Sequence, residues 1–123
     1  MKKLVLAVAV VALLFAGCKK DSADKFKTDL AGRWEISKIE PVSSLPLVVS
    51  GDYYDFKSGE DDIVEIRRGG NTQSGTYSPI VGNEINITIG AKLYNCKVSV
   101  LDGNRLEFTS SGDGKTETVY LKR

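Results

Sequence analysis

The side chains that do most protein chemistry are sparse in this chain: of 123 residues none is histidine, two are cysteine (Cys18 and Cys96) and one is tryptophan (Trp34). Without imidazole the commonest general base and the commonest metal ligand are both missing. Three clusters remain to be weighed. Glu60, Asp61 and Asp62 follow Gly59 directly, without the alternating spacing of a calcium loop, and read as a solvated turn. Arg67 to Gly70, "RRGG", lacks the Lys-Ser or Lys-Thr pair of a phosphate cradle and reads as a strand end and turn. Cys96 shares its parity with Tyr94, Val98 and Val100, so an apolar surround is expected to raise its pKa and leave it inert. The residue types therefore point away from an enzyme, and they imply neither a cofactor nor a metal.

Cys18 stands in a different context, "LVLAVAVVALLFAGCKKDSADK". Lys2 and Lys3 precede an apolar run from Leu4 to Ala16, too short for a membrane span of about 20 residues but of the length of a signal-peptide core. The small residues Ala16 and Gly17 before Cys18, with Phe15 three positions ahead, resemble the lipobox of bacterial lipoprotein signal peptides. The resemblance implies cleavage before Cys18, a thioether-linked diacylglycerol on its sulfur and an acyl chain on its new amino group, together a stable membrane anchor. The plainer alternative is an ordinary signal peptide cut after Ala16 or Gly17. "CKKDS" is similar to the charged tags of some surface-displayed Gram-negative lipoproteins and lacks Asp at the second position, which implies the outer membrane, on its periplasmic or its outer face. "DSA" resembles an O-glycosylation site with Ser22 as acceptor.

Removing residues 1–17 leaves 106 residues, enough for one domain with a modest core. The whole chain has 17 basic and 16 acidic residues; loss of Lys2 and Lys3 shifts the formal net charge from plus one to minus one. No basic excess is present to recruit nucleic acid. Residues 18–29, "CKKDSADKFKTD", are mostly polar and read as a lipidated tether, with room for at most a short turn of helix over residues 23–30.

From Leu30 to Arg123 the apolar period is two. Trp34 and Ile36 alternate with Arg33 and Glu35; Tyr54 pairs with Phe56, and Val64 with Ile66. Tyr77 follows, then Ile85, Ile87 and Ile89, then Tyr94, Cys96, Val98 and Val100, then Leu106 and Phe108, then Val119 and Leu121. Eight strands result, most separated by short breaks rich in Gly, Asn, Asp and Ser, which favour tight hairpins. Sequential antiparallel strands with one apolar face lose their exposed edges by closing, so an all-β, eight-stranded antiparallel up-and-down barrel over residues 30–123 is expected. The exception is the long segment Glu40 to Asp52, whose Leu45, Leu47, Val48 and Val49 either pack, with Val48 and Val49 extending the second strand, or cover the barrel mouth as a lid.

"AGRWEI" resembles the Gly-x-Trp signature of lipocalin-like proteins, here Gly32 and Trp34, and the rhythm of "YYDFKSGE", "GTYSPIVGNEINI", "YNCKVSVLDGNRLEFT" and "TVYLKR" is similar to the lipocalin-like domains of Gram-negative lipoproteins. The resemblance implies that Trp34 plugs the closed end and that the barrel is a cup for a small apolar molecule. Leu45, Leu47, Val48, Tyr54, Phe56, Tyr77, Tyr94 and Phe108 are the candidate ligand contacts. The same aromatic residues are large enough to fill a small barrel themselves. That would make the domain a structural or interaction module instead.

Overall fold

The computed structural model describes residues 25–80 and 83–123, so Cys18, Ser22 and the rest of residues 1–24 lie outside the described residues. The alternating segments all become strands: β1 (Gly32–Glu40), β2 (Tyr53–Phe56), β3 (Ile63–Arg68), β4 (Asn71–Ile80), β5 (Glu84–Ile89), β6 (Lys92–Leu101), β7 (Arg105–Gly112) and β8 (Lys115–Lys122). Each pairs antiparallel with its sequence neighbours, and β8 pairs back onto β1, so the sheet is a closed up-and-down barrel. The architecture agrees with the lipocalin-like expectation. Closure leaves no unpaired edge.

Alternation then decides what the interior contains. Trp34, Phe56, Val64, Tyr77, Ile85, Leu106, Phe108, Val119 and Leu121 are buried, and they pack one half of the barrel solid. Edge-to-face aromatic contacts knit this half together, with ring centroids 5.1 Å apart for Phe56 and Tyr77 and 5.3 Å apart for Tyr54 and Phe108. Each such side chain stabilises the fold by about 1.5–3 kcal/mol on burial.

Three expectations need correction. Residues 25–30 form a helix within the span 23–30 allowed for one, but Phe26 and Leu30, one helical turn apart, are buried against the core instead of standing in a polar tether. The polar composition of the tether concealed this pair, and the part of it from residue 25 onward belongs to the domain. Val100 does not share the inward face of Cys96. A register shift between Val98 and Val100 flips the parity, so Leu101, opposite Leu106, points in instead. A similar shift in β1 between Ile36 and Lys38 turns Ile39 inward. Finally, Val48 and Val49 do not extend β2, which begins at Tyr53. Val48 packs against the core, while Leu45, Leu47 and Val49 are exposed, as is Val42.

A plugged floor and a cavity at the open end

The two ends of the barrel differ in chemistry. At the floor, Trp34 is fully buried and its indole Nε1 donates to the Leu30 carbonyl at 2.8 Å. The Arg123 guanidinium covers the ring at 3.8 Å. Its nitrogens donate to three carbonyls, those of Ala31 (2.7 Å), Asp29 (3.1 Å) and Gly103 (3.2 Å). Gly32 has a positive φ of 115°, and a Cβ there would lie 3.2 Å from Arg123 Nη1. Gly32 and Trp34 therefore both serve the plug.

The opposite end holds a cavity of about 430 Å3. Its apolar wall comes from Tyr54, Ile66, Ile87, Ile89 and Tyr94; Leu45 and Pro46 of the long β1–β2 loop reach it from above. Of the candidate contacts, Leu45, Tyr54 and Tyr94 line it. Phe56, Tyr77 and Phe108 are buried in the packed half, and Leu47 and Val48 belong to the loop without lining the cavity. The barrel is thus half filled and half hollow, a division that the two sequence readings posed as alternatives.

The lining also carries charge. Arg68 and Glu117 form a two-pronged pair across the interior, Nη1–Oε1 at 2.7 Å and Nη2–Oε2 at 2.6 Å. Burial opposes ionisation of Glu117, but hydrogen bonds from Arg68 and Ser44 and the charges of Arg68 and Lys115 outweigh it and hold the carboxyl below its ordinary range. Lys92 pairs with Asp113 at 3.0 Å, and Lys115 Nζ donates to the Leu45 carbonyl at 2.9 Å. Gln73, Asn71 and Ser110 complete the polar wall. Burial pushes the Tyr54 hydroxyl far above its usual range, so it stays neutral.

None of these polar residues was among the candidates, yet the signal was present. Strand alternation places Lys115 and Glu117 on the face of Val119 and Leu121, Arg68 on that of Val64 and Ile66, Asn71 and Gln73 on that of Tyr77, and Lys92 on that of Tyr94. Following only the apolar residues of each strand stops the reading halfway up the barrel.

The loop over the mouth is fixed at both flanks. The buried Asp52 carboxylate accepts the amides of Val49 (2.8 Å), Gly69 (2.7 Å) and Gly70 (3.1 Å). This ties the loop to the β3–β4 turn, where Gly69 has positive φ and a Cβ would come within 2.9 Å of Pro46. On the other flank the Ser44 hydroxyl donates to Glu117, and Arg68 Nε donates to the Pro46 carbonyl at 3.0 Å.

Comparison of the chain with protein-family models, with characterised proteins and with solved structures gives no match.

Proposed function

We propose that this protein is a membrane-anchored lipoprotein, acylated at Cys18 and held at the outer membrane, whose lipocalin-like barrel binds a small, largely apolar molecule without transforming it chemically. The observation that carries the reading is the cavity of about 430 Å3 in the open half, within the range of small-molecule sites. The packed half supplies stability and leaves this space unfilled. The anchor rests on "FAGC" and the apolar run before it.

One mass spectrum tests both parts. Protein extracted gently from its own host and sprayed under native conditions is expected to carry the mass of a diacylglyceryl group and an N-acyl chain on a chain starting at Cys18. It is also expected to show a further noncovalent adduct that Ile89→Trp, which fills the cavity, removes. An unacylated chain would refute the anchor. An adduct-free wild type, or an adduct indifferent to the cavity-filling substitution, would refute the binding role.

A second reading, a protein-interaction lipoprotein, draws support from the mouth loop, where Val42 is 81 % and Leu47 53 % exposed. Because Leu45 lines the cavity and Leu47 does not, Leu45→Ser should weaken adduct retention and Leu47→Ser should not. Capture of a partner lost specifically in Leu47→Ser would favour the interaction role.

A further inference from the structure

Up the interior of the open half, polarity rises toward the mouth in step with strand alternation. On β6 the inward sequence toward the rim runs Cys96, Tyr94, Lys92, and on β8 it runs Val119, Glu117, Lys115. Five charged residues line the cavity, three cations and two carboxylates, so its wall carries one net positive charge. The carboxylates are already matched: Glu117 holds Arg68 at 2.6 Å, and Asp113 holds Lys92 at 3.0 Å. Lys115 forms no ion pair of its own: its charge reaches Glu117, but among the described residues no carboxylate lies within ion-pair distance of it, and its hydrogen bond to the Leu45 carbonyl uses one of three ammonium donors. The remaining donors belong to a residue that lines the same cavity as the apolar side chains of Tyr54, Ile66 and Ile87.

We infer that the cavity selects an amphiphile with a single negative charge, its apolar body against Tyr54, Ile66 and Ile87 and its monoanionic headgroup on the Lys115 ammonium. This rests on the proposed ligand-binding role of the cavity and goes beyond it by naming the headgroup. A neutral headgroup would forgo a charge-assisted hydrogen bond. A cationic one would face an excess of positive charge, with both acids already committed to other partners. A dianion would exceed the single charge the wall leaves unmatched.

Three probes with the same ten-carbon tail separate these cases: decanoate, decanol and decyltrimethylammonium. Each is titrated calorimetrically, below its aggregation threshold and at low salt, into the chain from Lys19 onward, which keeps every strand and core residue described. Decanoate is expected to bind about tenfold more tightly than decanol, the ratio that one charge-assisted hydrogen bond at a partly exposed rim supports. Decyltrimethylammonium is expected to bind more weakly than decanol. Raising the salt should shrink the decanoate preference. Lys115→Met, which keeps the apolar stem, should bring decanoate down to the alcohol's affinity, and Lys115→Gln should do the same while keeping a polar end. Equal binding of decanoate and decanol, a preference for the ammonium, or a carboxylate preference that survives both substitutions would each overturn the headgroup assignment while leaving the binding cavity standing. Binding of none of the three would overturn the assignment and the cavity's proposed role together.

Discussion

Cys96 faces the interior from the middle of β6, fully buried opposite Ser110 of β7. Burial pushes its thiol up to about 11, and a hydrogen bond with Ser110 only partly offsets this. At neutral pH almost no thiolate exists, and a reagent has no path to the sulfur. Labelling of the native protein by a thiol-specific reagent is therefore expected to be slow and to follow global unfolding, whereas the chain in denaturant should react at once. Fast labelling without denaturant would mean that β6 pairs one residue out of register, since a slip of one exchanges the two faces of a strand. Only one register puts Cys96 opposite Ser110 and Val98 opposite Phe108.

The mouth loop is held by two carboxylates, and each gives it a dependence on pH. Burial opposes ionisation of Asp52, but the amides of Val49, Gly69 and Gly70 and the charge of Arg67 outweigh it and depress its pKa below the ordinary 3.8. Glu117 is likewise depressed below 4.5 by Arg68 and Ser44, against the cost of its burial. A carboxyl whose pKa is lower in the folded state than in the unfolded one contributes its full stabilisation above the unfolded value and loses it as pH falls through the folded value. The loop should therefore be firmly held above about pH 5 and should release as the solution is acidified below about pH 4. Hydrogen exchange of the Val49, Gly69 and Gly70 amides, corrected for intrinsic rates, would register this as loss of protection, while amides of the closed half stay protected. Asp52→Asn should mimic the acid state at neutral pH, weakening the loop by about 1–3 kcal/mol, because a neutral amide retains a single acceptor for three donors. The same loop marks the limit of what the sequence made legible. Eight strands, their order and their closure follow from alternation, since residues such as Ile85 and Ile87 have no other way to share a face. The two register shifts do not, because Ser37 and Ser99 carry no local signature that separates a bulge from an ordinary strand residue. Nor does the loop's exposure of Leu45 and Leu47: composition alone equates apolar with buried, whereas here Asp52, Arg68 and Glu117 fix the loop through polar contacts and leave those side chains largely exposed.

At the scale of the whole barrel, the closed half carries the stability and the open half the cavity. Trp34 and Arg123 offer a means to test that division. Trp34 lies among buried side chains beneath the Arg123 guanidinium, and it does not line the cavity. Its emission should be blue-shifted in the native state and should not respond when the cavity is filled. Trp34→Ala should destabilise the barrel by about 3–5 kcal/mol, as removal of a large buried aromatic does. Arg123→Ala is the milder and more informative change. It removes a cation stacked on the indole and three hydrogen bonds that join the carbonyls of Asp29 in the helix and Ala31 just after it to the β7 entry at Gly103. Partly exposed contacts of this kind together are worth about 1–3 kcal/mol. The expected outcome in Arg123→Ala is a lower denaturation midpoint, red-shifted Trp34 emission and faster quenching by an aqueous quencher, with the affinity of any cavity ligand unchanged. Strand tilt and shared hydrogen bonds connect the two ends, so the result is not automatic: a parallel loss of ligand affinity would show that the plug sets the shape of the mouth. If affinity holds while the floor loosens, the aromatic layer of Tyr54, Phe56, Tyr77 and Phe108 is thick enough to isolate one end of the barrel from the other.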